Sequence, residues 1–207
     1  MRISDISVKK LENNELEKEL PEFYELKDVV ENCLGHINDP VFNHVLNVLK
    51  SLQRVTESAN ERIKNYLKQK IDYATRKELL FLGAVLHDIA KKDTIVKRED
   101  GTTSCLNHEE IGAIKSKKIL ERFELSDKEK NIITDIVKYH GDLHQTINLK
   151  NKNLEEDYEK LRKKTSNVFL ELIILVLSDI LSSQLNESNP EEFKFQTEFY
   201  KNVIENY

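Results

Sequence analysis

The sequence predicts an all-α protein. Apolar residues recur at helical spacing along most of its length, and Ser/Thr-x-x-Glu boxes precede several of those stretches. Only five glycines and three prolines interrupt 207 residues, and each proline falls near a plausible helix start. No segment reads as a strand.

Taken in order, Pro21 opens a short acidic helix over Glu22–Val30. Asp39-Pro40 reads as an N-cap followed by proline at the first helical position. The stripe Val41, Phe42, Val45, Leu46, Val48, Leu49 and Leu52 continues that helix. A more polar helix follows to about Ile71, with Ile63, Tyr66 and Leu67 facing inward. Thr75-Arg76-Lys77-Glu78 is a capping box for the helix that runs into His87-Asp88. Asp100-Gly101 marks a turn. Asn107 with Glu110 caps a helix to about Phe123, and Ser126 with Glu129 caps another that is expected to end near Gly141 as its C′ residue. Asn148–Lys164 is mostly charged and reads as a loop or a solvated helix. Ser166–Gln184 is predicted as a deeply buried helix, and Asn189-Pro190 caps the last one.

The length suits one domain with a substantial core. A third of the residues are charged and the net charge is −5, which excludes a protein that grips nucleic acid mainly by diffuse positive charge. DNA is not expected as a partner. Cys33 and Cys105 form no CxxC pair and no disulfide ladder, so a reducing compartment is expected and both thiols read as incidental. Met1–Lys10 lacks the apolar stretch of a signal peptide, and Val168–Leu181 is too short and too polar to span a bilayer. These features predict a cytoplasmic protein without a membrane partner.

Chemistry gathers at a few positions. The apolar run Leu79–Leu86 ends directly in His87-Asp88, with Lys91 three residues on. Asp179 stands inside Leu172–Leu181, where an uncompensated carboxylate costs several kcal/mol. The plainer reading of each is a helix end reaching solvent, or a carboxylate satisfied by Ser or backbone. Together, buried His and Asp favour a metal, since imidazole nitrogen and carboxylate oxygen are natural ligands. The histidines stand at predicted helix ends. His36 and His44 bracket one start, His87 closes a helix, His108 opens one, and His140 and His144 lie near the close of another. In a bundle such ends converge.

The ordered set His44, His87-Asp88, Asp179 resembles the H…HD…D pattern of HD-domain metal-dependent phosphohydrolases. The likeness is closest to the HD domain behind the nucleotidyltransferase head of CCA-adding and poly(A) polymerase-like enzymes. It is carried by Leu20–Leu26 with His36 and His44, by Leu86-His87-Asp88-Ile89-Ala90-Lys91, by Asn107–Ala113, and by Ile136–His140 with Leu177-Ser178-Asp179. Ala90 and Asn107 stand where glycine is usual, and Val45 where threonine is common. The resemblance implies a single HD helical domain over residues 1–207, with its core at about 20–185 and a C-terminal helix, 186–207, packed on it. No nucleotidyltransferase head is expected, and therefore no nucleotide polymerisation.

By that resemblance His44, His87, Asp88 and Asp179 ligate one divalent ion, of Mn, Fe, Co, Ni or Mg type. Two roles are open to His108 and His140: ligands of a second ion bridged by Asp88, or contacts to phosphate and the leaving oxygen. Lys91 balances Asp88 or holds phosphate, its plainer reading being an exposed lysine. His36 reads as a capping surface residue, with a place beside the ligands or the substrate as its alternative. His144 reads as solvent-exposed, and Arg162, Lys163 and Lys164 as a solvated charge run before a basic closure over an anionic substrate. The expected activity is metal-dependent phosphoester hydrolysis of a nucleotide, a phosphorylated small molecule or an RNA end, with Asp88, His108, His140 and Lys91 as the catalytic set. A dinucleoside-polyphosphate hydrolase, a non-catalytic helical module binding RNA or protein, and a di-iron oxygenase are the competing readings. The oligomeric state is open.

Overall fold

The computed structural model describes residues 1–207. Its architecture is a helical bundle with two small hairpins, so the all-α class holds while the expectation of no strands does not. The bundle is built around α10 (Phe169–Ile180), in which Leu170 and Leu172 to Val176 are fully buried. A helix apolar on every side has to be surrounded. It packs against α3 (Val41–Ser58), α5 (Arg76–Leu86), α8 (Asp127–Thr146) and α12 (Pro190–Asn206). The one charge in that stretch, Glu171, is fully buried and meets Arg76 and Tyr66. Burial still leaves its pKa raised, against the pull of Arg76. No helix is long and apolar enough to cross a membrane.

The predicted caps form as the side chains dictate. Thr75 and Glu78 exchange the reciprocal bonds of a capping box at the head of α5, and Ser126 and Glu129 do so for α8. Glu129 does more than cap. Its Oε1 also accepts from the backbone N–H groups of Asp72, Tyr73 and Ala74, tying the loop before α5 to the start of α8. Asn189 caps α12 through Glu192 N.

Several boundaries differ from expectation. The helix foreseen over Glu22–Val30 is α2 (Pro21–Tyr24) followed by a 3-10 turn, Glu25–Asp28. The chain then forms a hairpin, β1 (Val30–Cys33) and β2 (His36–Pro40), turning at Leu34-Gly35, where Gly35 has φ +87°. Asp39-Pro40 therefore ends a strand, and α3 starts one residue later than predicted, at Val41. These strands carry few β-branched or aromatic residues, and tertiary bonds hold them instead. Gln184 donates its N–H to Gly35 O at 2.8 Å and accepts Ile37 N–H on its side chain, while Asn32 N donates to Thr103 Oγ1 at 2.8 Å. A second hairpin, β3 (Ile95–Lys97) with β4 (Thr103–Cys105), includes the expected Asp100-Gly101 turn.

The polar helix α4 is confined to Glu61–Leu67, with Ile63 and Leu67 buried and Tyr66 half-buried. Asn107 does not cap through its side chain. It adopts the left-handed conformation, φ 61°, ahead of α7 (His108–Leu120), where a glycine would be at ease. Gly141 is not a helix terminus either, because α8 continues to Thr146. A Cβ at Gly141 would collide with the Glu109 carboxylate, 2.9 Å from its Cδ, so this glycine permits a close helix–helix approach. The charged segment forms α9 (Leu154–Lys164), settling loop against helix. Ile3, Ile6, Val8, Leu11 and Leu16, all before residue 20, join the same apolar cluster as Tyr200 and Ile204.

Candidate metal centre and cleft

His87 and Asp88 lie in the turn between α5 and the short helix α6 (Lys91–Thr94), closed by Ile89 N–H to Leu86 O and Lys91 N–H to Asp88 O. The apolar face of α5 carries them inward, so His87 is 1% and Asp88 2% exposed. His44 comes from the first turns of α3 and Asp179 from the end of α10. Potential ligand atoms of His44, His87 and Asp179 lie within 4.8 Å of one another, and so do those of Asp88, His108 and His140. The two groups adjoin through the His87-Asp88 peptide, with His87 Nε2 3.2 Å from Asp88 Oδ2. Asp88 stands between the groups, with His87 on one side and His108 and His140 on the other at 3.5 and 3.9 Å, the bridging place the sequence allowed it.

Three of the rings are set in the same way. Nδ1 of His87, His108 and His140 lies 2.8, 2.8 and 2.7 Å from the carbonyl oxygens of Ala84, Cys105 and Val137, each three residues earlier. A carbonyl only accepts, so each Nδ1 carries a proton, and a ring with no second proton turns an Nε2 lone pair inward. His108 Nε2 and His140 Nε2 face each other at 3.3 Å. Two lone pairs at that distance require a positive charge, a proton or a cation, between or beside them. His87 Nε2 and Asp88 Oδ2 are buried without a hydrogen bond, as is His44 Nδ1. Buried imidazole nitrogens without a hydrogen bond, set beside the Asp88 and Asp179 carboxylates, fit a divalent cation.

Electrostatics agree. Burial alone would raise the Asp88 and Asp179 pKa values. His87 and Lys91 outweigh it at Asp88, and hydrogen bonds from His144 and His44 outweigh it at Asp179, so both carboxyls sit well below their usual range. Burial, reinforced by His87 and His108, pushes His140 well below the usual imidazole value and keeps it neutral. At His87 burial opposes charge but Asp88 outweighs it and raises the pKa, which is an affinity for positive charge.

Lys91 is buried, not exposed. Its Nζ lies 2.7 Å from Glu31 Oε2 and 3.0 Å from Asp88 Oδ2, and these carboxylates hold its pKa up against burial. Glu31, on β1, escaped sequence reasoning because an acidic residue in a polar segment carries no periodic signal. His144 was read as solvent-exposed; instead its Nε2 is 2.8 Å from Asp179 Oδ2, one helical turn beyond His140. His36 is likewise drawn in, its ring 4.5 Å from that of His44 and its Nδ1 3.3 Å from Asp39 Oδ2. The i, i+4 spacing of His140 and His144 on one helix was the available signal.

These groups open into a cleft of about 280 Å³ lined by His36, Asp88, Lys91, His108, His140, His144 and Asp179, with Leu34 and Leu185 among its apolar walls. Arg162 and Lys164 stand apart from it, paired with Glu159 and Asp142, as a solvated run would. Cys105 Sγ is 3.7 Å from Glu31 Oε1, and burial with that carboxylate pushes its thiol up to about 12.

The HD domain model matches residues 41–184, which contain His44, His87, Asp88, His108, His140 and Asp179. The chain belongs to the HD domain family. Among curated relatives, the bifunctional uridylyltransferase/uridylyl-removing enzymes of Legionella pneumophila strains Corby, Lens and Paris are 33% identical over 112 residues. That covers 53% of this chain and 12% of each relative. The likeness thus supports the HD superfamily without singling out its CCA-adding branch.

Proposed function

We propose that this HD domain is a metal-dependent phosphohydrolase that cleaves phosphoester bonds of a nucleotide, a nucleotidyl group or an RNA end. The observation that carries the reading is the pair of adjoining ligand groups in one cleft, with three Nε2 lone pairs fixed inward by backbone carbonyls. The activity for which the relatives are named, uridylyl removal, is compatible with a nucleotidyl phosphodiester as the bond that is broken.

His44, His87 and Asp179, with Asp88 adjoining, would hold one cation; Asp88, His108 and His140 would hold a second, or His108 and His140 would contact the substrate's phosphate. Such an ion supplies Lewis acidity, lowering the pKa of water and polarising a phosphoryl oxygen. The chain's own residues do the rest. Asp88 and Asp179 supply negative charge that repels a bare anion unless cations compensate it, which makes hydrolysis metal-dependent. Lys91, fixed between Glu31 and Asp88, keeps Asp88 ionised and in place. His108, the more accessible of the facing histidines, would pass a proton to a leaving oxygen when its Nε2 is protonated as well as its Nδ1. The cleft sits at the low end of ligand pockets, so it suits the phosphoester and its sugar, with the remainder outside.

The test is metal analysis of protein purified without a metal-affinity step. It is joined to hydrolysis assays on bis-p-nitrophenyl phosphate, a 5′-uridylyl ester and a 2′,3′-cyclic nucleotide with Mn, Co, Ni and Mg. Metal-stimulated turnover that Asp88→Ala abolishes is expected. Turnover unchanged in purified Asp88→Ala protein refutes the proposal. No metal uptake and no turnover would favour a binding module.

A further inference from the structure

The family match starts at Val41, yet a carboxylate from the preceding hairpin reaches the centre. Asp39, on β2, lies with its Oδ2 3.3 Å from His36 Nδ1 and 3.7 Å from His44 Nδ1. The hairpin is held over the cleft by Gln184, which bonds Gly35 and Ile37, and by Thr103, which accepts from Asn32 N.

His44 is the one ring of the two ligand groups whose Nδ1 has no carbonyl partner. It lies in the first turns of α3. It is 1% exposed, its Nδ1 makes no hydrogen bond, and Asp39 is the only carboxylate within 4 Å of that atom. On the other side, His44 Nε2 lies 2.8 Å from Asp179 Oδ1. A neutral imidazole has a single N–H. With the proton on Nε2, His44 donates to Asp179 and cannot ligate. With the proton on Nδ1, the Nε2 lone pair is free, and Asp39 Oδ2, at 3.7 Å, is the nearest carboxylate oxygen to that proton, a few tenths of an ångström from a hydrogen bond.

We propose that Asp39 is a positioning residue for the metal centre, accepting the Nδ1–H of His44 and thereby selecting Nε2 as the ligating atom. The role rests on the metal-dependent reading above. It completes the pattern that backbone carbonyls impose on His87, His108 and His140, with a carboxylate in place of a carbonyl. Outer-sphere carboxylates of this kind orient ligating histidines, and their loss weakens metal affinity about 10- to 100-fold. His36 competes for the same oxygen from the cleft side, which links the hairpin's position to the centre.

The experiment is a Co(II) titration of the full chain, followed by visible absorption and calorimetry, on wild type, Asp39→Ala and Asp39→Asn, with thermal melts in chelator. Asp39→Ala is expected to bind Co(II) about 10- to 100-fold more weakly, with its chelator-state melt unchanged. Asp39→Asn, which keeps a neutral acceptor, is expected to fall between. Should Asp39→Ala fail to fold, Asp39→Asn decides the matter. Affinity within twofold of wild type, in whichever variant folds, overturns the role while leaving the centre intact. A wild-type chain that takes up no Co(II) overturns the metal reading itself, and this role with it.

Discussion

Replacing Gly141 by alanine separates packing from chemistry within one residue. The position is helical and buried in the middle of α8, facing Glu109 on α7. An added Cβ would lie 2.9 and 3.0 Å from Glu109 Cδ and Cγ, against about 3.5–4.0 Å for comfortable carbon contacts. The obstacle is the far end of a flexible side chain, so Glu109 can swing aside at small cost. Alanine meanwhile gains up to about 1 kcal/mol over glycine in a helix interior. For a chain of this size that corresponds to a melting temperature higher by about 2–4 °C. The displaced Glu109 carboxylate now sits 3.3 Å from His108 Nδ1 and lines the cleft. Misplacement of such a group by about 1 Å costs up to about 100-fold in rate. Gly141→Ala is therefore expected to be as stable as wild type or slightly more so, and markedly slower. Thermal melts in chelator and turnover of a phosphodiester at saturating metal read the two effects. A melting temperature lowered by many degrees would show that Glu109 cannot yield. Full activity in a stable variant would show that its placement does not matter, and either result refutes the reasoning.

Lys91→Met leaves Glu31 and Asp88 buried without their shared cation, and should cost about 3–5 kcal/mol by urea unfolding in chelator. Adding Glu31→Gln should restore part of that loss. Glu129 tests pH dependence: burial raises its pKa, but backbone N–H donors at Ala74, Ser126, Tyr73 and Asp72 outweigh it and leave it lowered. Its contribution is therefore present above the unfolded carboxyl value, about pH 4.3, and lost as pH falls through the folded one. The unfolding free energies of wild type and Glu129→Gln should differ at pH 7 and converge towards pH 3. Metal at 100 times its dissociation constant should stabilise the wild type by about 2.7 kcal/mol, seen as a higher melting temperature than in chelator, and should do nothing for Asp179→Ala.

Helices announced by side chains that bond their own backbone were legible in the sequence. Thr75, Ser126 and Asn189 each cap where expected, because a cap is a local bargain between neighbours. The hairpins were not, since residues 30–40 lack strand composition and are held by Gln184 and Thr103, far away in the chain. Gly141 was misread for a related reason: glycine at a helix end and glycine under a crossing side chain look alike until the second helix is in place. Among the site residues, those in apolar runs, His87, Asp88 and Asp179, stood out because burial of polar groups demands a reason. Glu31 and Asp39 lie in polar surroundings, and only the fold turns them inward; His144 had one signal, its i, i+4 spacing from His140.

The bonds from Gln184 to Gly35 and Ile37 have a consequence for architecture. The segment matched as an HD domain runs from Val41 to Gln184, so those bonds bring the strand just before its first residue against its last one. A unit whose two ends are neighbours can be spliced into a loop of another protein without prying its host apart. The same geometry marks this unit as a good subject for circular permutation, with new termini opened at the exposed Asp100-Gly101 turn.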